Sequence, residues 1–255
     1  MGFEDDKRFG LGHPGGESIF RPTTIVHELR VDPADSIPRL YQPDSPLVTA
    51  MYGINAAGKD TLAAILRDNC KDQAVITSES RVLMYGLGIV DNPDATLRVD
   101  TEAYRRLEAA EPSRIAEIEA NMGELLLGIK GDGNSVFFLS HLVFANHLDG
   151  GQVRYLVEKP IHSWIGSVID VAVQLRPSPD TIYQRRVQAL QDRVRPVDLR
   201  QIIEHQALCD SRWEQYVSKF PSLRYAVVQN SQGIETPTAN AIADFIVNSQ
   251  DQNLQ

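Results

Sequence analysis

Lys59 lies in the run Gly53-Ile54-Asn55-Ala56-Ala57-Gly58-Lys59-Asp60-Thr61, between the apolar stretch Leu47-Val48-Thr49-Ala50-Met51-Tyr52 and the helix-like Leu62-Ala63-Ala64-Ile65-Leu66. A lysine framed by glycines, entered from a strand and left through a helix, is suited to holding phosphate groups. The two glycines permit a tight turn whose backbone N–H groups point inward. The helix presents the positive end of its dipole, and the lysine reaches the terminal phosphates. Strand, loop and helix stand in the required order, which separates the motif from a chance glycine-rich turn. One position departs from the usual pattern: where a magnesium-binding Ser or Thr normally follows the lysine stands Asp60, with Thr61 one step later.

Other residues carry charge or hydrogen-bonding chemistry at useful places. Arg185, Arg186, Arg193 and Arg195 cluster within eleven positions of a chain that is otherwise acidic. Planar guanidinium groups match phosphate oxygens bidentately, so the cluster suits transfer of a phosphoryl group. The alternative role for each arginine is a surface ion pair, with Asp192 or Asp198, worth about 1 kcal/mol at most. Thr77, Ser78 and Arg81 follow a β-like run, at the carboxyl edge where open α/β sheets bind ligands. Arg105 sits in a helical stretch, with a surface pair to Glu102 as its alternative, as Glu79 is for Arg81. His141 beside Ser140 is placed to orient a substrate or to make a structural hydrogen bond. The two are not a nucleophile and base, since no third group is indicated.

The elements that must position these residues follow from periodicity. Residues 1–45 contain Gly10, Gly12, Pro14, Gly15, Gly16, Pro22, Pro33, Pro38 and Pro43, and read as an arm or accessory segment before the core. From Leu47 onward β-like runs alternate with helical ones: Ala74–Thr77, Ser135–Leu139, Val168–Leu175 and Tyr225–Gln229. Counting the run before the glycine loop, these predict a doubly wound, parallel five-stranded sheet, α/β/α in three layers, over residues 46–255. A helical insertion spans 100–130, broken at Glu111-Pro112-Ser113, where Ser113 is the expected cap. The steps Leu199, Ile202, Ile203, Gln206, Cys209, Trp213, Tyr216, Val217 and Phe220 predict one long amphipathic helix. His205, one helical step from Cys209, is expected to pack.

The 255 residues, 42% hydrophobic and 23% charged, suffice for one substantial core without metal or disulfide staples. The formal charge of -9 argues against a duplex nucleic acid partner and for a small anionic one. Cys70 and Cys209 lack metal-ligand spacing and are expected to be reduced thiols. The acidic start Met1-Gly2-Phe3-Glu4-Asp5-Asp6 has no apolar leader region, and no run reaches membrane-spanning length, so a cytoplasmic protein without a membrane partner is expected.

From Leu47 to the C-terminus the chain resembles the P-loop nucleoside monophosphate kinases, most closely the archaeal-type adenylate kinases. The likeness rests on the loop Gly53–Thr61, on Pro179-Asp180-Thr181-Ile182-Tyr183-Gln184-Arg185-Arg186, on Asp192-Arg193-Val194-Arg195-Pro196-Val197-Asp198, on Ile203-Glu204-His205-Gln206, and on Val227-Val228-Gln229-Asn230. The loop's Gly-Lys-Asp-Thr ending also looks like that of phage-type deoxynucleoside monophosphate kinases. The resemblance implies a kinase that transfers the γ-phosphoryl of magnesium-bound ATP to a nucleoside monophosphate, so the partners are a nucleotide donor and a small phosphorylated acceptor. Gly53, Ile54, Asn55, Ala56, Ala57, Gly58, Lys59, Asp60 and Thr61 would bind ATP, and Asp60 and Thr61 would face the Mg2+. Lys59, Arg186, Arg193 and Arg195 would be catalytic, the arginines in a lid over 184–198. Thr77, Ser78, Arg81, Arg105 and His141 would take the acceptor. The family's aspartate after the third strand is replaced by Ser140, which leaves Asp60 or Glu79 to supply the carboxylate near the metal. Two other readings stand beside this one: a P-loop kinase of another small acceptor, and a nucleotide-binding regulatory protein without turnover.

Overall fold

A computed structural model describes residues 24–97, 100–147, 153–189 and 197–248. In chain order the strands are β1 (Val26–Leu29), β2 (Val48–Tyr52), β3 (Ala74–Ser78), β4 (Ser135–Ser140), β5 (Val143–His147), β6 (Val153–Glu158), β7 (Val171–Leu175) and β8 (Arg224–Val228). The helices are α1 (Lys59–Asn69), α2 (Glu79–Gly86), α3 (Thr101–Glu108), α4 (Pro112–Gly131), α5 (Ile165–Val168), α6 (Pro179–Gln188), α7 (Leu199–Lys219) and α8 (Glu235–Asn248).

Every residue of β2 is buried, as expected of a short apolar strand covered on both faces. It lies centrally in a parallel six-stranded sheet of order β1-β8-β7-β2-β4-β3. On one face Val82, Met122, Leu126, Ile165, Trp213 and Tyr216 pack from α2, α4, α5 and α7. On the other, Leu62, Ala63 and Leu66 of α1 meet Ala239, Ile242 and Ile246 of α8. The α/β/α layering therefore agrees with the alternating sequence pattern, with one strand more than the five expected. The added strand is β1, from the Pro- and Gly-rich N-terminal segment, which pairs with β8 in register Val26 with Tyr225 through Leu29 with Val228.

Two further expectations are corrected, and one strand pair is added. The run Val168–Leu175 divides into the helical turn α5 and the strand β7, which starts at Val171. The turn ends in extended backbone at Ile169, and the Asp170 carboxylate accepts from the Val48 N–H at 2.8 Å and the Lys130 ammonium at 2.9 Å. α4 is entered from Glu111 with Pro112 in its first turn, not capped by Ser113; the fixed φ of proline suits that position. Finally, β5 and β6 form an antiparallel pair outside the main sheet, which the sequence reading did not include. His205, buried on α7, ties this pair down through its Nε2 and the Val143 carbonyl at 3.1 Å.

Candidate phosphate loop and adjoining cavity

The loop after β2 is held by small residues in close quarters. Gly58 has φ 92°, a conformation that favours glycine, and a Cβ there would lie 2.4 Å from Asn230 Nδ2. At Gly53 a Cβ would come within 2.9 Å of Ala57 Cβ and 3.0 Å of the Leu175 carbonyl. Ala56 takes φ 72°, which a residue with a side chain adopts only when its surroundings require it. Gly58 is also the N-cap of α1, and no side chain caps that helix. Its first-turn N–H groups and its dipole are therefore left for an anion.

Lys59 is buried above this loop. Its ammonium donates to the Gly53 carbonyl at 2.7 Å, reaches the Ile54 carbonyl at 3.4 Å, and lies 3.1 Å from His141 Nε2. His141 Nε2 is also 3.0 Å from Asn55 Oδ1, so the imidazole joins the end of β4 to the loop. Asp60 and Thr61 occupy the first turn of α1 and are exposed.

From outside, three side chains fix the loop through its carbonyls. Asn230, fully buried just after β8, donates to the Ala57 carbonyl at 2.8 Å. Arg185 of α6 donates to Ala57 at 3.1 Å and to Ser231 at 3.3 Å, and lies 3.6 Å from Glu235. Burial lowers the pKa of its guanidinium, an effect Glu235 opposes. Arg186, buried, donates to the Asn55 carbonyl at 3.3 Å. Arg193 and Arg195 lie outside the described residues.

The other expected acceptor residues are spread out. Ser78 caps α2 by accepting the Arg81 N–H, and the Thr77 hydroxyl donates to the Pro93 carbonyl at 2.6 Å. Arg81 is buried but points to the 92–94 turn, where its Nε donates to the Asn92 carbonyl at 2.8 Å. Arg105 is exposed beside Glu102 at 3.5 Å. Glu79 is ion-paired to Lys159 and accepts the Ser140 hydroxyl at 3.2 Å, so its oxygens are engaged by the protein.

Beside the loop opens a cavity of about 360 Å³ that sequence reasoning missed. Tyr52, Met122, Phe138, Trp164, Ile165 and Tyr216 form its apolar wall, and His141 stands where cavity and loop meet. The Tyr52 and Tyr216 hydroxyls are bonded to each other at 2.9 Å, and burial raises the pKa of both phenols, so they remain neutral donors. The signal was present but scattered: these residues come from β2, α4, β4, α5 and α7, and each reads singly as core.

No protein-family model matches the chain, and no curated protein is similar to it in sequence. Among solved structures the chain is similar to the shikimate kinase from Acinetobacter baumannii, described in complex with shikimate, at 10% identity and a TM-score of 0.44, over 82% of this chain and 96% of that one. It is likewise similar to the shikimate kinase from Bacteroides thetaiotaomicron, at 10% identity and a TM-score of 0.39, over 82% and 99%.

Proposed function

We propose that this chain is a P-loop phosphotransferase, taking the γ-phosphoryl group from a nucleoside triphosphate such as ATP and passing it to a hydroxyl of a small acceptor. The observation that carries this reading is the shared position of His141, 3.1 Å from the Lys59 ammonium on one side and lining the cavity on the other. A donor phosphate on the loop and an acceptor in the cavity would meet there.

The acceptor oxygen attacks the γ-phosphorus, the bond to the β–γ bridging oxygen breaks, and the nucleoside diphosphate leaves with the electron pair. The acceptor's proton passes to water, while His141, held by Lys59 and Asn55, orients the attacking hydroxyl. Lys59 and the N-terminus of α1 oppose the charge on the phosphoryl oxygens. A magnesium ion carried by the triphosphate would supply further neutralisation. Asp60 and Thr61, exposed in the first turn of α1, would hold its water shell through their oxygens, while among the described residues no three His, Cys, Asp or Glu gather into a metal cluster. The nucleoside monophosphate acceptor implied by the resemblance would need its phosphate at Arg81 or Arg105, and neither lines the cavity.

A coupled assay of ADP release with magnesium-ATP and a panel of acceptors tests the reading. Turnover that depends on an acceptor and falls by about a thousandfold in Lys59→Met supports it, since electrostatic groups of this kind carry effects of that size. Tight ATP binding with no transfer to any acceptor would favour a regulatory nucleotide-binding protein instead.

A further inference from the structure

The chemistry of the cavity wall speaks to what the acceptor is. A phosphorylated acceptor brings a dianion, and proteins hold such groups with guanidinium forks, ammonium groups or helix N-termini. The charged and titratable residues that line the cavity are Glu79, Glu119, Glu158 and Lys159, with His141 and His162. Lys159 is ion-paired to Glu79. Glu158 meets Arg212 at 3.4 Å. The Glu119 carboxylate has no ion pair among the described residues, while its backbone carbonyl accepts the Trp164 indole N–H at 3.1 Å. The one lysine of this wall is thus already matched to Glu79, Glu158 is matched by Arg212 from beyond the lining, and Glu119 is left over. The rest of the wall is aromatic and aliphatic, and it accommodates an apolar ring better than a charged group. Excess negative charge beside aromatic faces favours an ammonium group and opposes a phosphate or carboxylate.

From this we infer that the acceptor is a phosphate-free hydroxy compound with an apolar, ring-sized body, neutral or bearing one ammonium group, rather than a nucleoside monophosphate. The inference rests on the phosphotransferase reading and names the substrate class of that same site. The ring packs between Trp164, Phe138 and Tyr52, its hydroxyl faces His141 and the loop, and any ammonium group faces Glu119.

Matched acceptor pairs test it on the full chain with magnesium-ATP. Adenosine against its monophosphate and thymidine against its monophosphate vary only the phosphate. Phenylalaninol against 2-benzyl-3-hydroxypropanoate exchanges an ammonium group for a carboxylate on one skeleton with the hydroxyl in place. Transfer is followed by ADP release and binding by Trp164 emission, with Trp164→Phe as the control that removes the cavity signal. The expected result is that the phosphate-free or ammonium member of a pair is preferred by about tenfold or more in kcat/KM. Glu119→Lys, a change at a half-buried helix position, should shift that ratio towards the anionic member, a reversal that mere loss of stability would not produce. Preferred transfer to a monophosphate or to 2-benzyl-3-hydroxypropanoate overturns the inference and leaves the phosphotransferase standing. So does an ATP-binding protein whose Trp164 emission and turnover answer to no phosphate-free compound. Failure to bind ATP at all removes both.

Discussion

At Gly58 the demands of backbone and neighbour coincide: φ is 92° and the Asn230 amide occupies the space a Cβ would need. Gly58→Ala therefore strains the backbone and displaces the side chain that holds Ala57. The expected cost is about 1–2 kcal/mol from the left-handed conformation alone, together with weaker ATP binding. Urea unfolding and calorimetric titration measure the two effects, and an unchanged ATP affinity would count against the loop as the donor site. Cys209 offers a different kind of test. Burial pushes its thiol up to about 12, although the nearby Lys59 charge acts the other way. An unfolded thiol titrates near about pH 8.5, so the folded chain holds this proton the more tightly. The stability due to the protonated thiol is fully present below that pH and is lost as pH rises from there towards 12. Thermal melts between about pH 8 and about pH 9, below the range where unfolded tyrosines ionise, should show a shallower decline for Cys209→Ala than for the natural chain. Parallel declines would mean that the thiol does not titrate differently in the two states.

Elements place what single residues cannot. α4 passes so close to α5 that a Cβ on Gly123 would meet Trp164 Cβ at 2.9 Å and Val168 Cγ2 at 3.0 Å. Gly123→Ala gains helix propensity of about 1 kcal/mol, but the overpacking costs about 1–3 kcal/mol. The net effect is expected to be a loss of stability with a displaced Trp164. A changed Trp164 emission and weaker acceptor binding, with ATP affinity retained, are the signs to look for. An increase in melting temperature with unaltered emission would show that α4 yields instead. This dependence on packing also explains which parts were legible in the sequence. The loop Gly53–Thr61 could be read because its residues are contiguous and its chemistry is local. α7 could be read because Ile202, Cys209, Trp213 and Tyr216 repeat at helical steps. The cavity could not, since Met122, Phe138, Trp164 and Tyr216 come together only through the order of strands and helices. Arg81 shows the same limit: its place at the carboxyl edge was legible, but its turn towards the Asn92 carbonyl depends on a later loop.

Over the whole molecule, the described residues before the glycine loop are bound into the sheet and its outer layer. β1 covers the edge of β8. Tyr41 joins the end of α1 through its N–H to the Asn69 carbonyl at 3.0 Å and its carbonyl from the Lys71 N–H at 2.9 Å. Asn240, buried on α8, accepts the Arg39 N–H at 3.1 Å and donates to the carbonyls of Ile37 at 2.9 Å and Asp35 at 3.2 Å. Among the described residues no helix is long and apolar enough to cross a membrane. Removing residues 1–45 would unpair the β8 backbone and leave the Asn240 amide buried without these partners, each lost partner costing about 1–3 kcal/mol. An open edge of apolar strand is also a template for pairing with other chains. The truncated chain is therefore expected to melt well below the full chain and to form oligomers that grow with concentration, as read by scanning calorimetry and light scattering. A truncated chain that stays monomeric with an unchanged melting temperature would show that the core from residue 46 onward is complete by itself, and that β1 and the Arg39–Tyr41 contacts add nothing to its stability.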